Sequence, residues 1–342
     1  MQDKLVYQAE LFANRLKKRE AHLKKWARRN TVACYRLYDR DIPEIPLALD
    51  WYAFESGAVY GRLFLYERPY QKDEAEEAVW LAAMKAAASA VLGIPEANLL
   101  CKIRKRQRGS AQYEKAGADG IRGIVSVGDA ASITGIIREQ GLRFMVDLTS
   151  YLDTGIFLDH RLTRSLIRSR AEGKRALNLF CYTGAFSVYA ASGGAAAVDS
   201  VDMSNTYLEI AQKNMALNGF GGRPEFLFHR SDVSAFLENA AGKKQWDIII
   251  LDPPTFSDSK KMTGVLDINA HWPRLIAQCL AVLAVPGLIF FSTNSKKLQF
   301  DASLLSAVPG PGQIRAEEIT GQTIPEDFHG KPHRVWRICA GF

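Results

Sequence analysis

A chain of 342 residues, 47% hydrophobic and 24% charged, is long enough for about two globular domains and lacks the composition of a disordered or fibrous protein. Its net charge of +7 favours a polyanionic partner without naming one. Five cysteines (Cys34, Cys101, Cys181, Cys279, Cys339) are scattered and form no C-x-x-C, which argues against a disulfide framework or a zinc site and fits reduced cytoplasmic thiols.

The N-terminus has no apolar core of the kind a secretory signal needs. Residues 9–30 have helical spacing, with Leu11, Phe12, Leu16, Leu23 and Trp26 near one stripe. The other face carries Arg15, Lys17, Lys18, Arg19, Lys24, Lys25, Arg28 and Arg29 against Glu20 alone. Without acidic partners at i,i+4, a phosphate-binding face is preferred to a merely solvated one or to a helix lying on a membrane. This basic helical segment takes residues 1–45.

Residues 46–149 read as a small α+β domain. Strand-like runs at Val59–Tyr66 and Leu99–Arg104 flank a helix at Asp73–Val91. The stretch C-K-I-R-K-R-Q-R-G-S places Lys102, Arg104, Arg106 and Arg108 at alternate positions, hence on one face of a strand. Nucleic-acid contact is the preferred reading, and an exposed edge guarded by charge is the other.

From residue 150 to 342 the pattern becomes regular. Strands at Ala176–Phe180, Ala197–Met203, Glu225–Phe228, Trp246–Leu251 and Leu288–Ser292 alternate with helices at Gly184–Ser192, Thr206–Asn218, Val233–Ala241 and Ile268–Leu283. Val335–Ala340 closes the chain as a last strand. Such alternation predicts an α/β domain with a mostly parallel sheet covered on both faces. The most apolar stretch, Leu275–Phe291, is interrupted by Pro286-Gly287 and is too short to span a membrane.

Ligands of open α/β sheets bind beyond the carboxyl ends of the strands. Those ends read N-L-F-C-Y-T-G-A (178–185), V-D-M-S (201–204), R-S-D-V (230–233) and L-D-P-P-T-F (251–256). Gly184 permits close approach to the backbone at a helix start. Asp202 is placed for two ribose hydroxyls and Asp232 for an adenine amino group. The set suits an adenosine bearing an amino-acid tail. NAD is the rival, but the turn lacks G-x-G-x-x-G.

These strand ends, with F-A-N-R-L-K-K (12–18), C-Y-R-L-Y-D (34–39), Y-L-D-T-G-I-F-L-D-H-R (151–161), V-D-M-S-N-T-Y-L-E (201–209), D-P-P-T-F-S-D-S-K-K-M (252–262) and D-F-H (327–329), resemble class I S-adenosylmethionine-dependent methyltransferases. More narrowly, they resemble bacterial 23S ribosomal RNA methyltransferases, in particular the C-terminal, guanine-N7 half of the bifunctional large-subunit enzymes. The resemblance implies a Rossmann-like fold with a mostly parallel seven-stranded sheet, S-adenosyl-L-methionine as cofactor and ribosomal RNA as partner. It implies that Phe180, Tyr182, Thr183 and Gly184 line the methionine end. Asp202, with Met203 and Ser204, takes the ribose, and Asp232 with Val233 the adenine. Phe157, Asp159 and Arg161 lie in a segment placed against the cofactor. Asp252, Pro253, Pro254 and Phe256 form the acceptor pocket, with Asp252 reaching the cofactor, and Lys260 and Lys261 extend the RNA-binding set. The family's bifunctional members carry an upstream N-P-P-aromatic motif that this sequence lacks, so one activity is expected here. The 117–141 loop is also longer than expected.

The motif does not choose the acceptor atom. Cytosine C5 is a poor nucleophile until a thiolate adds at C6, and relatives with that chemistry keep a cysteine just after strand five. Here that turn reads F-F-S-T-N-S-K-K (290–297). Guanine N7 has an in-plane lone pair and no proton, so alignment and electrostatic support suffice. Asp252 is expected to hold a base edge or face the charge appearing on the purine, and Phe256 to stack on a base. Guanine N7 methylation is therefore preferred. Cytosine C5 methylation and a non-catalytic RNA-binding assembly factor are the alternatives. His329 and His333 have metal-like spacing, but Pro332 speaks against a helix, and no metal is expected.

Overall fold

The computed structural model describes residues 2–66, 73–104, 132–151, 153–257, 266–305 and 313–341, the side chains of 2, 103 and 104 excepted. The chain forms two compact units, Met1–Thr154 and Gly155–Phe342.

In the first unit, helix α1 (Gln2–Arg29) buries Phe12, Leu16, Leu23 and Ala27, the stripe that its helical spacing predicts. It packs on β1 (Cys34–Asp39) and on α2 (Glu74–Leu92), where Trp80 Nε1 donates to Gln8 Oε1 at 2.8 Å. Asp73 caps α2 by accepting from Ala75 N and Glu76 N, and Gly93 ends it at φ +64°. With β2 (Leu47–Ala53), β3 (Val59–Tyr66) and β4 (Leu99–Arg104), β1 makes a four-stranded sheet in the order β1-β2-β3-β4, antiparallel except for β3–β4. Strands β5 (Thr134–Glu139) and β6 (Leu142–Asp147) form a separate hairpin. The described part of the 117–141 loop is thus ordered strand; the rest lies outside the described residues.

The second unit holds α3 (Arg161–Arg168), β7 (Arg175–Leu179), α4 (Ala185–Ser192), β8 (Ala197–Asp202), α5 (Asn205–Leu217), β9 (Phe226–Arg230), α6 (Val233–Ala240) and β10 (Trp246–Leu251). The short pair β11 (Phe256–Ser257) and β12 (Leu266–Asp267) leads into α7 (Ile268–Ala281), β13 (Leu283–Thr293), β14 (Ile314–Glu318), α8 (Thr320–Thr323) and β15 (Arg334–Ala340). Seven strands form one sheet in the order β14-β15-β13-β10-β7-β8-β9. From β13 to β9 neighbours run parallel, and β15 lies antiparallel between β13 and β14. This is the mostly parallel sheet that the alternation predicts, with the seven strands that the resemblance implies. Most boundaries shift by a residue or two, and strand β13 starts five residues before the expected Leu288. The predicted Ile268–Leu283 helix stops at Ala281, because Leu283 pairs with Trp246 and strand β13 begins there. Strand β14 was not foreseen: I-R-A-E-E is polar, and only its pairing with β15 makes it a strand.

The central strands are largely apolar, with Asn178, Asp199 and Ser200 the buried polar residues of β7 and β8. Leu177, Leu179, Ile249, Leu251, Ile289 and Phe291 are all fully buried, as expected where helices cover both faces.

Candidate active site

Because β7, β8, β9 and β10 are parallel neighbours, their carboxyl ends leave one edge of the sheet side by side. Leu179 pairs with Val201 and with Leu251, and Asp202 with Arg230. The four motifs that the sequence separates by up to seventy residues therefore meet there.

The turn after β7 is held in an uncommon backbone form. Phe180 (φ 54°), Tyr182 (φ 51°) and Gly184 (φ 75°) all occupy the left-handed region. Two non-glycine residues in that region within three positions mark a turn that its surroundings hold in a strained shape. At Gly184 a Cβ would stand 2.7 Å from Ala211 Cβ, so the glycine also lets α5 pack against the turn. Thr183 is buried: its hydroxyl donates to Gly155 O and its carbonyl accepts from Asn214 Nδ2. It holds the turn in place and offers no open surface to a ligand.

Asp202 ends β8. Oδ2 accepts from Tyr182 N at 3.0 Å and Oδ1 from Ser204 N at 2.9 Å. Backbone donors thus orient both oxygens, and the acceptor capacity left on the carboxylate is what a pair of vicinal hydroxyls would share. Burial raises the pKa of its carboxyl, opposed by the backbone N–H groups of Ser204, Tyr182 and Met203. Ser204 caps α5 through Tyr207 N. Tyr207, which sequence reasoning did not single out, meets Tyr182 edge-on at 4.6 Å, and Tyr182 in turn meets Phe157 at 5.4 Å. Three aromatic rings thus stand in a row beside Asp202. Asp232 is committed differently from expectation: Oδ1 accepts from Ala235 N and caps α6, which leaves Oδ2 for a ligand. Val233 is buried in the first turn of that helix.

Arg161 does not line an open pocket. It is 1% exposed and donates to Asp327 Oδ1 at 2.8 Å, itself fully buried. It fastens the start of α3 to the D-F-H segment, so its expected direct contact with the cofactor is replaced by a structural ion pair. Asp159 accepts His333 Nδ1 at 3.0 Å, and His333 Nε2 lies 3.2 Å from Thr323 Oγ1. Asp159, His160 and His333 bring ligand-type atoms within 4.8 Å of one another. The two imidazoles, however, are stacked at 4.1 Å and 16°, so their in-plane lone pairs run nearly parallel and do not converge on an ion.

Asp252 follows β10, half-buried, with Pro253 buried behind it. Oδ1 accepts from Ser292 Oγ on β13, while Thr255 Oγ1 bonds Asn294 Oδ1. Ser295 Oγ donates to Asn269 Oδ1 at 2.6 Å, next to the Asp267 that caps α7. The S-T-N-S turn, in which the sequence shows only a missing cysteine, is what holds D-P-P-T in place. Phe256 pairs through its backbone with Asp267, yet its side chain is 38% exposed. Its ring is therefore partly open to solvent, and half-buried Pro254 stiffens the backbone that leads to it.

The basic residues divide. Lys17, Lys18, Lys24, Lys25 and Arg28 are exposed on α1, but against the expectation of no i,i+4 partner, Lys24 meets Glu20 one turn away at 3.2 Å. Arg15 is tied to buried Asp41 by a 2.5 Å ion pair, and Arg19 is buried with Nε on Leu37 O. Lys102 is a correction. It is 3% exposed, and its Nζ donates to Thr149 O (2.7 Å) and Tyr151 O (2.6 Å). Strand β4 turns that side chain inward, and burial lowers its pKa to about 7. The Arg104 side chain, Arg106, Arg108, Lys260 and Lys261 lie outside the described residues.

A parallel sheet with an acid closing its second strand, a left-handed turn after its first and D-P-P-aromatic after its fourth defines the class I S-adenosylmethionine-dependent methyltransferases. The family described as S-adenosylmethionine-dependent methyltransferase matches residues 125–304, and the chain belongs to that family. Its methyl donor is S-adenosylmethionine, and the donor set around Asp202 fits that group. The chain is 43% identical, over 96% of its length and 86% of the relative's, to ribosomal RNA large subunit methyltransferase K of Neisseria meningitidis serogroup B. It is 42% identical over 97% of its length to ribosomal RNA large subunit methyltransferase K/L of Methylococcus capsulatus, but spans only 43% of that relative. Among solved structures, SMU.776, a putative methyltransferase complexed with SAH, shares the fold at TM-score 0.73 and 24% identity, covering 97% of this chain and 82% of that one. No helix of the described residues is long and apolar enough to cross a membrane.

Proposed function

We propose that the chain methylates guanine N7 in large-subunit ribosomal RNA. Relatives named as large-subunit rRNA methyltransferases support the substrate class. The acceptor assignment rests on one observation: Ser292 Oγ, not a thiol, is the group that faces Asp252 from the neighbouring strand. The five thiols are poor candidates for covalent attack elsewhere. Burial pushes Cys181 and Cys279 well above the usual thiol range, raises Cys101 to about 11 and raises Cys339 as well, while Cys34 is fully buried.

When bound, S-adenosylmethionine supplies a methyl already activated on a sulfonium. The protein's own work is then placement. Asp202 and the 180–184 turn fix the donor, and Phe256 offers a face on which a base taken out of its helix can stack, worth about 1–3 kcal/mol. Asp252, oriented by Ser292, faces the base and opposes the positive charge that N7 alkylation creates. No residue has to remove a proton. Lys17, Lys18, Lys24, Lys25 and Arg28 supply phosphate contacts. The test is nucleoside mass spectrometry of rRNA treated with protein and S-adenosylmethionine. The expected product is 7-methylguanosine; 5-methylcytosine, or no methylated nucleoside, refutes the proposal.

A further inference from the structure

His160 is the residue of this site that neither cofactor nor base binding accounts for. It is 6% exposed, with its ring stacked on His333 at 4.1 Å and meeting Phe186 edge-on at 5.8 Å. Nε2 stands 3.9 Å from Asp252 Oδ1, and Nδ1 has no hydrogen-bond partner among the described residues. A neutral imidazole has one N–H and one lone pair. With the proton on Nε2, toward Asp252, the orphan on Nδ1 is only an unused lone pair. A second proton would bury an N–H on Nδ1 with nothing to receive it, which is the costlier arrangement.

The ring is also fixed from behind. His333 is held at Nδ1 by Asp159, and its Nε2 lies 3.2 Å from Thr323 Oγ1. The charged and titratable groups that face His160 are Asp252 from the end of β10, His333 from the segment before β15, and Asp159 and Arg164 from the segment that opens and forms α3. Helix α4 presents the apolar ring of Phe186. Burial outweighs the two carboxylates and lowers the His160 pKa below the ordinary imidazole value.

We propose that His160 is a positioning residue that stays neutral and leaves Asp252 an uncompensated carboxylate, so that the pocket favours an acceptor atom that turns positive on methylation. The choice of acceptor rests on the guanine N7 reading. There the N7 lone pair becomes the new N–C bond as the C–S bond breaks. Positive charge passes from sulfur to the purine, and no proton leaves. A cation at position 160 would cancel the field of Asp252 at the atom where that charge arrives. Among the described residues, His160 is the basic group within 4 Å of Asp252.

Two measurements test this on the full chain. In an NMR titration with labelled histidine, His160 is expected to titrate below ordinary imidazole, and lower still in Asp252→Asn, which removes a facing carboxylate. A His160 curve unchanged by that substitution overturns the proposal. The titration needs no turnover, so it decides the coupling even in a preparation that transfers no methyl. In the second, total methyl transfer to rRNA is followed against pH for wild type and His160→Gln. Wild-type kcat should fall about tenfold per pH unit on the acid side, with little change in KM, and the variant should lose that limb. A purely structural role would lower the variant at every pH and keep the limb, which also overturns the proposal. Methylcytosine as product, with both His160 results as expected, sinks the N7 reading and leaves the His160–Asp252 coupling standing.

Discussion

Asp202→Ala should weaken binding of S-adenosylhomocysteine by roughly two to four powers of ten. The carboxylate already accepts from the backbone N–H groups of Tyr182, Ser204 and Met203, and its remaining acceptor capacity is what the ribose would use. Two ribose hydroxyls donating to an ionised carboxylate contribute about 1.5–3 kcal/mol each, and every 1.4 kcal/mol is tenfold in Kd. The substitution also strips the backbone N–H groups of Tyr182, Ser204 and Met203 of their acceptor, so part of any loss comes from a disturbed turn. A cycle separates the two effects. Wild type and Asp202→Ala are each titrated by calorimetry with S-adenosylhomocysteine and with its 2′-deoxy analogue. Wild type should pay about 1.5–3 kcal/mol for the missing hydroxyl, and the variant close to nothing. An equal deoxy penalty in both proteins refutes the ribose contact, however large the variant's overall loss. The raised pKa of Asp202 adds a sign. A proton on the carboxyl removes an acceptor, so affinity should fall as pH drops, and sooner than an ordinary aspartate would dictate.

Ser292→Ala removes the hydroxyl that orients Asp252 and should lower kcat about tenfold to a hundredfold, with the calorimetric Kd for S-adenosylhomocysteine unchanged. Arg161→Met removes the cation paired with buried Asp327 and should destabilise the chain by about 3–5 kcal/mol in denaturant melts; Arg161→Met with Asp327→Leu should recover much of it. Lys102 is expected to act on stability, not on RNA affinity. Its folded pKa of about 7 lies below the ordinary 10.5, so between those values the unfolded chain holds a proton that the folded chain has given up. Stability should therefore rise with pH through that window, by up to about 1.4 kcal/mol per unit, and Lys102→Met should remove the slope. Replacing Lys17, Lys18, Lys24, Lys25 and Arg28 by Gln should flatten the salt dependence of rRNA affinity; an unchanged slope removes α1 from the interface.

The alternation of apolar runs with helical spacings carried the fold, because strands buried on both faces need continuous Ile, Leu, Val and Phe, as in Trp246–Leu251. The strand-end motifs were legible for the same reason: a parallel sheet puts every carboxyl end on one edge, so reading the residue after each run already assembles Asp202, Asp232 and Asp252. What each side chain then does was not legible. Lys102 fits an alternating basic strand in sequence, but only the packing of β4 shows that its face points inward onto the carbonyls of Thr149 and Tyr151. Arg161 looks like a ligand residue until Asp327, 166 positions away, neutralises it.

The sequence by itself determined the layered parallel sheet and where its ligand edge lies, since both follow from local periodicity and from where apolar runs stop. Only the tertiary structure decided the partners: Ser292 on Asp252, His333 beneath His160, Tyr207 against Tyr182. Hydrogen bonds and ring contacts between residues tens to hundreds of positions apart depend on strand order and register, and no local pattern in the chain encodes those.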